Sequence, residues 1–380
     1  MSHARDDDSA ALPGHGHGAG DAPAAPASTA PAATTGPGAL PGAAALAPAS
    51  GHWPLFDAFP ALAPLLAPVA LATTPTPGEP LPCFGAQAWI KRDDLSHAVY
   101  GGNKVRKLEF VLADMRRRRA RAVYTLGATG TNAGIAASMV CAAEGLPCTI
   151  ISFPQPESAT VASNRQWLAH FQARFEARPT LWSAVLRYYL HPARLNPRNY
   201  FLFAGCSNPV STFGYVNAIF ELREQIRAGH CPEPQEIVVA VSSASTLAGL
   251  TLGVALAGLS TRVTGVRVAA ERLGPFAACT PGVVEKLERQ ALALLHAAGA
   301  ARELNAAPEA TLIGEYFGSG YGEATPAASA AIATFRERSG LALEGTYSGK
   351  AAAAFLDRLR HATGPVLFWN TFNSRPLPRA

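Results

Sequence analysis

Charged residues and cysteines are scarce in this 380-residue chain, and long apolar runs are missing. Only 16% of the residues are charged, and the six cysteines form no C-x-x-C pair. This cysteine usage excludes a disulfide-rich secreted scaffold, so we expect free thiols in a reducing compartment. The chain has no run of ~18 strongly apolar residues, so we predict no membrane span. The first residues lack the basic start and leucine-rich stretch of a secretory signal, so we expect a cytoplasmic protein.

The sequence also lacks the common nucleotide-binding fingerprints. It contains no G-x-G-x-x-G motif and no Walker A lysine, which argues against a dinucleotide fold and against an NTPase. The net charge is +5, and part of it lies in the arginine run 116–119. Because no aromatic residues interleave with this run, we interpret it as the solvated face of a helix and expect no nucleic-acid partner.

Residues 1–50 consist mostly of Ala, Gly and Pro. Such a segment cannot bury enough apolar surface to offset the entropy of ordering, so we predict a disordered tail. His15 and His17 alternate with glycine there and could bind a metal, but such tracts are usually solvated, and no metal site is predicted.

Beyond the tail, short apolar strands alternate with small-residue turns and helices. Strands are predicted at 88–92, 122–125, 148–152, 237–241, 263–268 and 366–369, and helices at 104–118, 132–144, 161–175, 214–228, 246–258, 283–298, 324–339 and 351–362. Residues 187–198 are predicted to be rich in loops. Strands that are continuously apolar are typical of sheets buried on both faces. The pattern predicts an α/β protein with two open, mostly parallel twisted sheets and helices on both faces.

Two local patterns carry chemistry. Gly101 and Gly102 allow a tight turn into a helix that begins near Lys104. A helix N-terminus disfavours positive charge, which favours the neutral amine that a Schiff base requires. The alternative is an ordinary surface lysine in an exposed first turn.

The second pattern is the polar turn that follows the strand 237–241. Ser242, Ser243, Ala244, Ser245 and Thr246 lead into a helix, whose first N–H groups and dipole favour a phosphate. The alternative is an ordinary helix N-cap. A lysine at one helix start and a phosphate site at another suggest pyridoxal 5′-phosphate as cofactor.

These motifs support a family resemblance. The string KRDDL…GGNKVRKLE, followed in order by LGATGTNAG, STFGYVNAIFEL, GSGYGEAT and LEGTYSGKAAAAFLD, resembles the 1-aminocyclopropane-1-carboxylate deaminase and D-cysteine desulfhydrase family. These are fold type II pyridoxal-phosphate enzymes of the tryptophan-synthase-β-like group. The resemblance runs from about residue 53 to residue 376.

The resemblance implies roles for individual residues. Lys104 would bind the cofactor as a Schiff base, with Asn103 and Lys107 supporting its loop. The turn of residues 242–246 would hold the phosphate. Thr131 and Asn132 match the pair that binds the substrate carboxylate, and Thr131 would take part in proton transfer. Tyr321 and Tyr347 match tyrosines that face the active site.

Ser348 occupies the place that faces the pyridine nitrogen in the family. The deaminase branch has Glu there, which keeps that nitrogen protonated. A neutral hydroxyl leaves a weaker electron sink, suited to β-elimination from serine-like or cysteine-like substrates. Ser348 therefore favours the desulfhydrase branch over ring-opening deamination.

The resemblance implies a pyridoxal-phosphate-dependent lyase or deaminase that converts a small amino acid to a keto acid and ammonia by α,β-elimination, as a homodimer. We expect residues 51–103 with 216–380 to form a larger cofactor-binding domain, and residues 104–215 a smaller substrate-binding domain. Ser242, Ala244 and Ser245 replace glycines of the family's phosphate loop. A non-catalytic relative, a deaminase, a racemase and a β-replacement synthase therefore stay as alternatives.

Overall fold

The computed structural model describes residues 51–273 and 275–376. The predicted tail, with His15 and His17, lies outside these residues. The helices are α1 (Pro54–Ala58), α2 (Ala63–Leu66), α3 (Asn103–Arg117), α4 (Asn132–Ala143), α5 (Ala159–His170), α6 (Leu181–Tyr189), α7 (Pro209–Arg227), α8 (Ser245–Ala257), α9 (Pro281–Ala297), α10 (Pro326–Ser339) and α11 (Ser348–Leu359). The strands are β1 (Gly78–Pro80), β2 (Ala88–Lys91), β3 (Ala122–Ala128), β4 (Cys148–Phe153), β5 (Arg174–Ala177), β6 (Asn199–Leu202), β7 (Glu236–Val241), β8 (Arg262–Arg267), β9 (Arg272–Leu273), β10 (Phe276–Ala277), β11 (Thr311–Ile313) and β12 (Val366–Trp369).

The strands form two open sheets and a short hairpin. The larger sheet has the order β1-β2-β12-β7-β8-β11, and β1 pairs antiparallel with β2 while the other pairs are parallel. The smaller sheet, β5-β4-β3-β6, is entirely parallel. Strands β9 and β10 pair antiparallel. The predicted fold class is confirmed.

Helices cover both faces of each sheet. Alternate residues of β7 belong to different parts of the core: Val239 packs among residues of α7 and α8, whereas Val238 packs among residues of α10 and α11. In β4, Ile150 packs with α3 and α4, and Ile151 packs with α6. Both faces are therefore apolar, which explains why these strands are continuous hydrophobic runs.

One predicted helix in the middle of the chain is partly wrong, and two other predicted segments have different bounds. The predicted helix 161–175 ends at His170, and its last residues form strand β5 instead. The predicted loop region 187–198 overlaps only the end of α6 and contains one short 3-10 helix. Helix α6 begins at Leu181, after the N-cap Thr180, and Ser183 completes its capping box. The predicted helix 214–228 already begins at Pro209, where Asn208 provides another capping box and proline suits the first helical position.

A buried ion-pair network fixes the position of α3. The Arg106 guanidinium donates to Glu221 of α7 at 2.8 Å and to Asp93 at 2.9 Å. Lys91 of β2 donates to the same Glu221 at 2.6 Å. Removing one partner from such a network leaves a buried charge uncompensated, which is strongly destabilising. The network therefore holds the start of α3 against the larger sheet.

No helix among the described residues is long and apolar enough to cross a bilayer.

Candidate active site

A cavity of about 830 Å³ opens where strands of both sheets end. Its lining includes the ends of β3 and β7, the first turn of α3, the turn before α8 and the segment 371–373. In open α/β sheets, ligands bind in the crevice beyond the carboxyl ends of the parallel strands. The cavity therefore lies where this fold class places its ligands.

Lys104 lies in the first turn of α3 and lines this cavity. Gly102 precedes the helix with φ 98°, and a Cβ there would lie 2.8 Å from the Thr371 carbonyl oxygen, so only glycine fits. The Lys104 amine donates to Asn103 Oδ1 at 2.5 Å and lies 5.9 Å from the centroid of the Tyr347 ring. Burial lowers the pKa of Lys104 to about 8, although the negative charge of Glu344 opposes this shift. About a tenth of this amine is therefore neutral at pH 7, far more than of an ordinary lysine.

Lys107 is a second amine in the same cavity. Its side chain is buried, and its Nζ donates to the Gly205 carbonyl oxygen at 3.3 Å. Burial, and then the nearby charge of Lys104, holds its pKa well below the usual range of lysine. Neither amine forms an ion pair with a carboxylate in the part of the chain that the structure describes. The site therefore offers two amino groups to an anionic ligand.

The turn 242–246 joins β7 to α8. Ala244 is the N-cap of α8 and has φ 67° and ψ −30°, a conformation that strains a residue with a Cβ. Its side chain cannot cap the helix, and the Ser245 N–H donates instead to the Ser243 carbonyl oxygen at 2.9 Å. Ser207 reaches this turn from outside: its hydroxyl contacts the hydroxyls of Ser243 at 2.7 Å and Ser245 at 2.8 Å.

The members of the predicted phosphate turn are placed differently. Ser242, Ser243, Ala244 and Thr246 line the cavity. Ser245 is fully buried and is not part of the lining. Asn103 Nδ2 donates to Thr246 Oγ1 at 3.0 Å, so the lysine-bearing helix is tied to this turn directly.

Thr131 and Asn132 begin α4 at the end of β3, and both line the cavity. Thr131 Oγ1 accepts the Gly134 N–H at 3.1 Å and thereby caps the helix. Asn132 Oδ1 accepts from Tyr100 Oη at 3.0 Å and from Asn164 Nδ2 at 2.7 Å. These bonds fix the Asn132 amide with its NH₂ group as the end that is left for a ligand.

Tyr321 and Tyr347 meet in the cavity wall and share a short hydrogen bond between their hydroxyl groups. Their rings are edge to face with centroids 6.1 Å apart. Burial raises the pKa of Tyr321 to about 12, and burial also raises the pKa of Tyr347. Both phenols therefore keep their protons at neutral pH and can donate them.

Ser348 lies at the first position of α11, directly after Tyr347, and does not line the cavity among the described residues. Its hydroxyl oxygen accepts the Glu344 backbone N–H at 2.9 Å. The Glu344 carboxylate is buried and accepts the backbone N–H groups of Thr346, Tyr347 and Ser348, each at 2.7 Å. The structure thus places Ser348 next to Glu344 and outside the cavity lining, with its hydroxyl already bonded.

Sequence reasoning missed two parts of the site. Ser207 supports the phosphate turn, and Asn373 Oδ1 accepts the Gly101 N–H at 2.8 Å beside the lysine. Ser207 and Asn373 lie far in sequence from the motifs that they contact, and no local pattern marks them. The amine of Lys107 was predicted to support the loop, but its place in the cavity follows only from the fold.

The fold and this site define a class of enzyme that binds pyridoxal phosphate between two mostly parallel sheets. Residues 69–371 match the family described as "Pyridoxal-phosphate dependent enzyme". The chain belongs to this family, and pyridoxal phosphate is its cofactor.

Similar proteins indicate which type of enzyme within this family the chain represents. The chain is 32% identical to nocardicin C-9′ epimerase of Nocardia uniformis subsp. tsuyamanensis over 81% of this chain and 93% of that protein. It is 31% identical to a D-cysteine desulfhydrase of Klebsiella pneumoniae (strain 342) over 79% and 92%. A solved ACC deaminase homologue superposes with a TM-score of 0.69 and 26% identity over 82% of this chain and 94% of that one. The chain is thus a pyridoxal-phosphate enzyme of the ACC deaminase and D-cysteine desulfhydrase type, as the sequence motifs predicted.

Proposed function

We propose that the protein is a lyase that removes a leaving group from the β-carbon of an amino acid by α,β-elimination. The observation that carries this proposal is the Lys104 amine, which lies in the cavity beside the tyrosine pair and has a pKa of about 8. An amine that is readily neutral can form a Schiff base and can also accept a proton. Two protonated phenols next to it can supply a proton to a departing group.

The residues of the cavity fit pyridoxal phosphate. The N-terminus of α8 suits the phosphate, because helix N–H groups favour an anion, and the Lys107 amine lies in the same cavity as a further N–H donor. Asn103 and Thr246 hold the lysine-bearing turn against this phosphate site. When bound, the cofactor supplies an electron sink for the bond that is broken at the α-carbon.

Each remaining residue has a task in this scheme. The free NH₂ group of Asn132 and the start of α4 bind the substrate carboxylate, with Thr131 beside them. Lys104 takes the α-proton. Tyr321 or Tyr347 gives a proton to the leaving group. The balance is one amino acid and one water giving the protonated leaving group, a 2-keto acid and ammonia.

Ser348 favours elimination over ring-opening deamination. The family resemblance aligns this position with the Glu of the deaminase branch, and serine supplies no carboxylate there. Its hydroxyl lies outside the cavity lining and is bonded to Glu344, so no side chain at this position holds a proton on the pyridine nitrogen.

The predicted division into domains 51–103 with 216–380 and 104–215, the homodimer and the cytoplasmic location remain predictions.

Epimerisation is the second candidate, because a relative that is 32% identical is an epimerase. Both reactions begin with removal of the α-proton by Lys104. They differ in the next step: an epimerase returns a proton to the α-carbon, whereas a lyase expels the substituent on the β-carbon.

Release of keto acid from the D- and L-enantiomers of serine and β-chloroalanine tests the proposal. Chloride leaves without a proton and hydroxide does not, so Tyr321→Phe and Tyr347→Phe should slow serine turnover far more than β-chloroalanine turnover. General acid catalysis contributes about 10²–10⁴-fold, which sets the expected loss with serine. The matched control is Tyr316→Phe, because Tyr316 donates to Asp357 outside the cavity. Loss of the substrate's α-deuterium without keto acid release would favour the epimerase instead.

A further inference from the structure

The cavity continues from the lysines into an apolar wall formed by α6. Leu181, Trp182, Val185 and Leu186 of this helix line it. Trp182 and Leu186 are 44% and 49% exposed, which is unusual for large apolar side chains. None of the residues assigned to the cofactor or to the substrate carboxylate lies on this wall, so the elimination scheme leaves it unused.

A second wall faces α6. It consists of Leu273 and Phe276 from the β9–β10 hairpin and Leu287 from α9, all of which line the same cavity. The rings of Trp182 and Phe276 stack with centroids 5.9 Å apart and planes 20° apart. This ring pair joins the two walls, so together they form one continuous apolar lining of this end of the cavity. We name it the α6 channel.

We propose that the α6 channel binds a large apolar, aromatic substituent carried on the β-leaving group of the substrate. This inference rests on the proposed elimination and adds the substrate class. The cavity volume of about 830 Å³ is shared between the cofactor site and the α6 channel, and it lies near the upper end of the ~300–1,000 Å³ that ligand pockets enclose. A leaving group as small as the thiol of cysteine would leave the apolar walls in contact with water.

The chemistry balances for a thioether substrate such as S-benzylcysteine. The Cβ–S bond breaks, its electron pair stays on sulfur, and one of the paired tyrosines supplies the proton of the thiol. S-benzylcysteine and water give benzyl thiol, pyruvate and ammonia, and no oxidant or reductant is required. The aromatic ring leaves water on binding, which is the source of the affinity.

Calorimetric titration of the Lys104→Ala protein tests the α6 channel without turnover. The ligands are S-benzylcysteine and S-methylcysteine, both enantiomers of each, with and without pyridoxal phosphate. We expect S-benzylcysteine to bind at least about tenfold tighter, because burial of a ring contributes more than burial of a methyl group. Adding Leu186→Asp or Trp182→Ala should remove most of this preference. The matched control is Leu195→Asp, because Leu195 is 89% exposed and does not line the cavity.

Three results would overturn the inference. The first is equal affinity for the two thioethers, and the second is an equal loss of preference in the control variant. The third is a Leu186→Asp protein that keeps its preference for S-benzylcysteine but changes its oligomeric state. The α6 surface would then bind a second copy of the chain. The cofactor-free titration tests the channel independently of the cofactor. Absence of the pyridoxal-phosphate absorption band in the unmodified protein would reject the proposed function separately.

Discussion

Asn103 donates a hydrogen bond from Nδ2 to Thr246 Oγ1 over 3.0 Å, which joins residues 143 positions apart in the chain. Asn103 is the first residue of α3, and its Oδ1 accepts from the Lys104 amine. Thr246 lies in the first turn of α8. One amide therefore connects the reactive lysine with the proposed phosphate site, and the distance between these two parts is fixed before any ligand binds.

Thr246→Val should loosen this connection. We expect a loss of about 1 kcal/mol of folding free energy, the net contribution of a typical hydrogen bond, and a weaker affinity for pyridoxal phosphate. Chemical denaturation and cofactor titration measure the two effects. Thr251→Val is the matched control, because Thr251 also lies in α8 but bonds only to the Leu247 carbonyl. An equal fall in cofactor affinity in both variants would contradict the assigned role of Thr246.

Ala244→Gly should stabilise the protein. Ala244 has φ 67°, and a left-handed conformation costs a residue with a Cβ about 1–2 kcal/mol that glycine avoids. We expect a higher melting temperature and unchanged or tighter cofactor binding. Ala248→Gly, in the interior of the same helix, should instead destabilise the protein because glycine is a poor helix former. A lower melting temperature for Ala244→Gly would show that no strain is relieved at this turn.

Ser348 predicts the choice of reaction. The unmodified protein should release no keto acid from 1-aminocyclopropane-1-carboxylate, and Ser348→Glu should gain this activity. Glu344 lies against Ser348 and would repel a new carboxylate, so the variant is also made with Glu344→Gln. Ring-opening activity in the unmodified protein would contradict the proposed role of the hydroxyl.

The pKa of Lys104 predicts how cofactor capture depends on pH. Only the neutral amine attacks an aldehyde, and burial lowers the pKa of Lys104 to about 8. About a tenth of the amine is then neutral at pH 7 and half at pH 8. The rate of Schiff-base formation should therefore rise between pH 7 and 9 and level off above pH 9. Stopped-flow absorbance measures it, and a rate that still climbs tenfold per unit above pH 9 would place this pKa near that of an ordinary lysine.

Local patterns were enough to predict most of the fold. The strands 237–241 and 366–369 are nearly the observed β7 and β12, because burial on both faces leaves a continuous apolar run. Helix α6 was not predicted, because it exposes large apolar residues such as Trp182 and Leu186 where a surface helix has polar ones. The capping boxes at Thr180 and Asn208 are the signals that mark these helices, and both use serine where the usual motif has Glu or Gln.

The candidate site was only partly predictable. Lys104 follows a glycine pair at a helix start, so local sequence singled it out, whereas the family resemblance supplied Thr131 and Asn132. The fold places all three around one cavity. Ser348 was predicted to face the ligand, but the structure places its hydroxyl against Glu344. Contacts such as Asn373 with Gly101 join distant segments through tertiary packing, which no local pattern encodes.

The visible absorption spectrum of the purified protein with added pyridoxal phosphate tests the central claim most directly. The account predicts a Schiff-base band in the unmodified protein that disappears in Lys104→Ala and persists in Lys107→Met with weaker cofactor affinity. Borohydride reduction and peptide mapping should then place the cofactor on Lys104. An absent band, or a band unchanged in Lys104→Ala, would contradict the assignment of Lys104 as the cofactor-binding lysine and with it the proposed elimination.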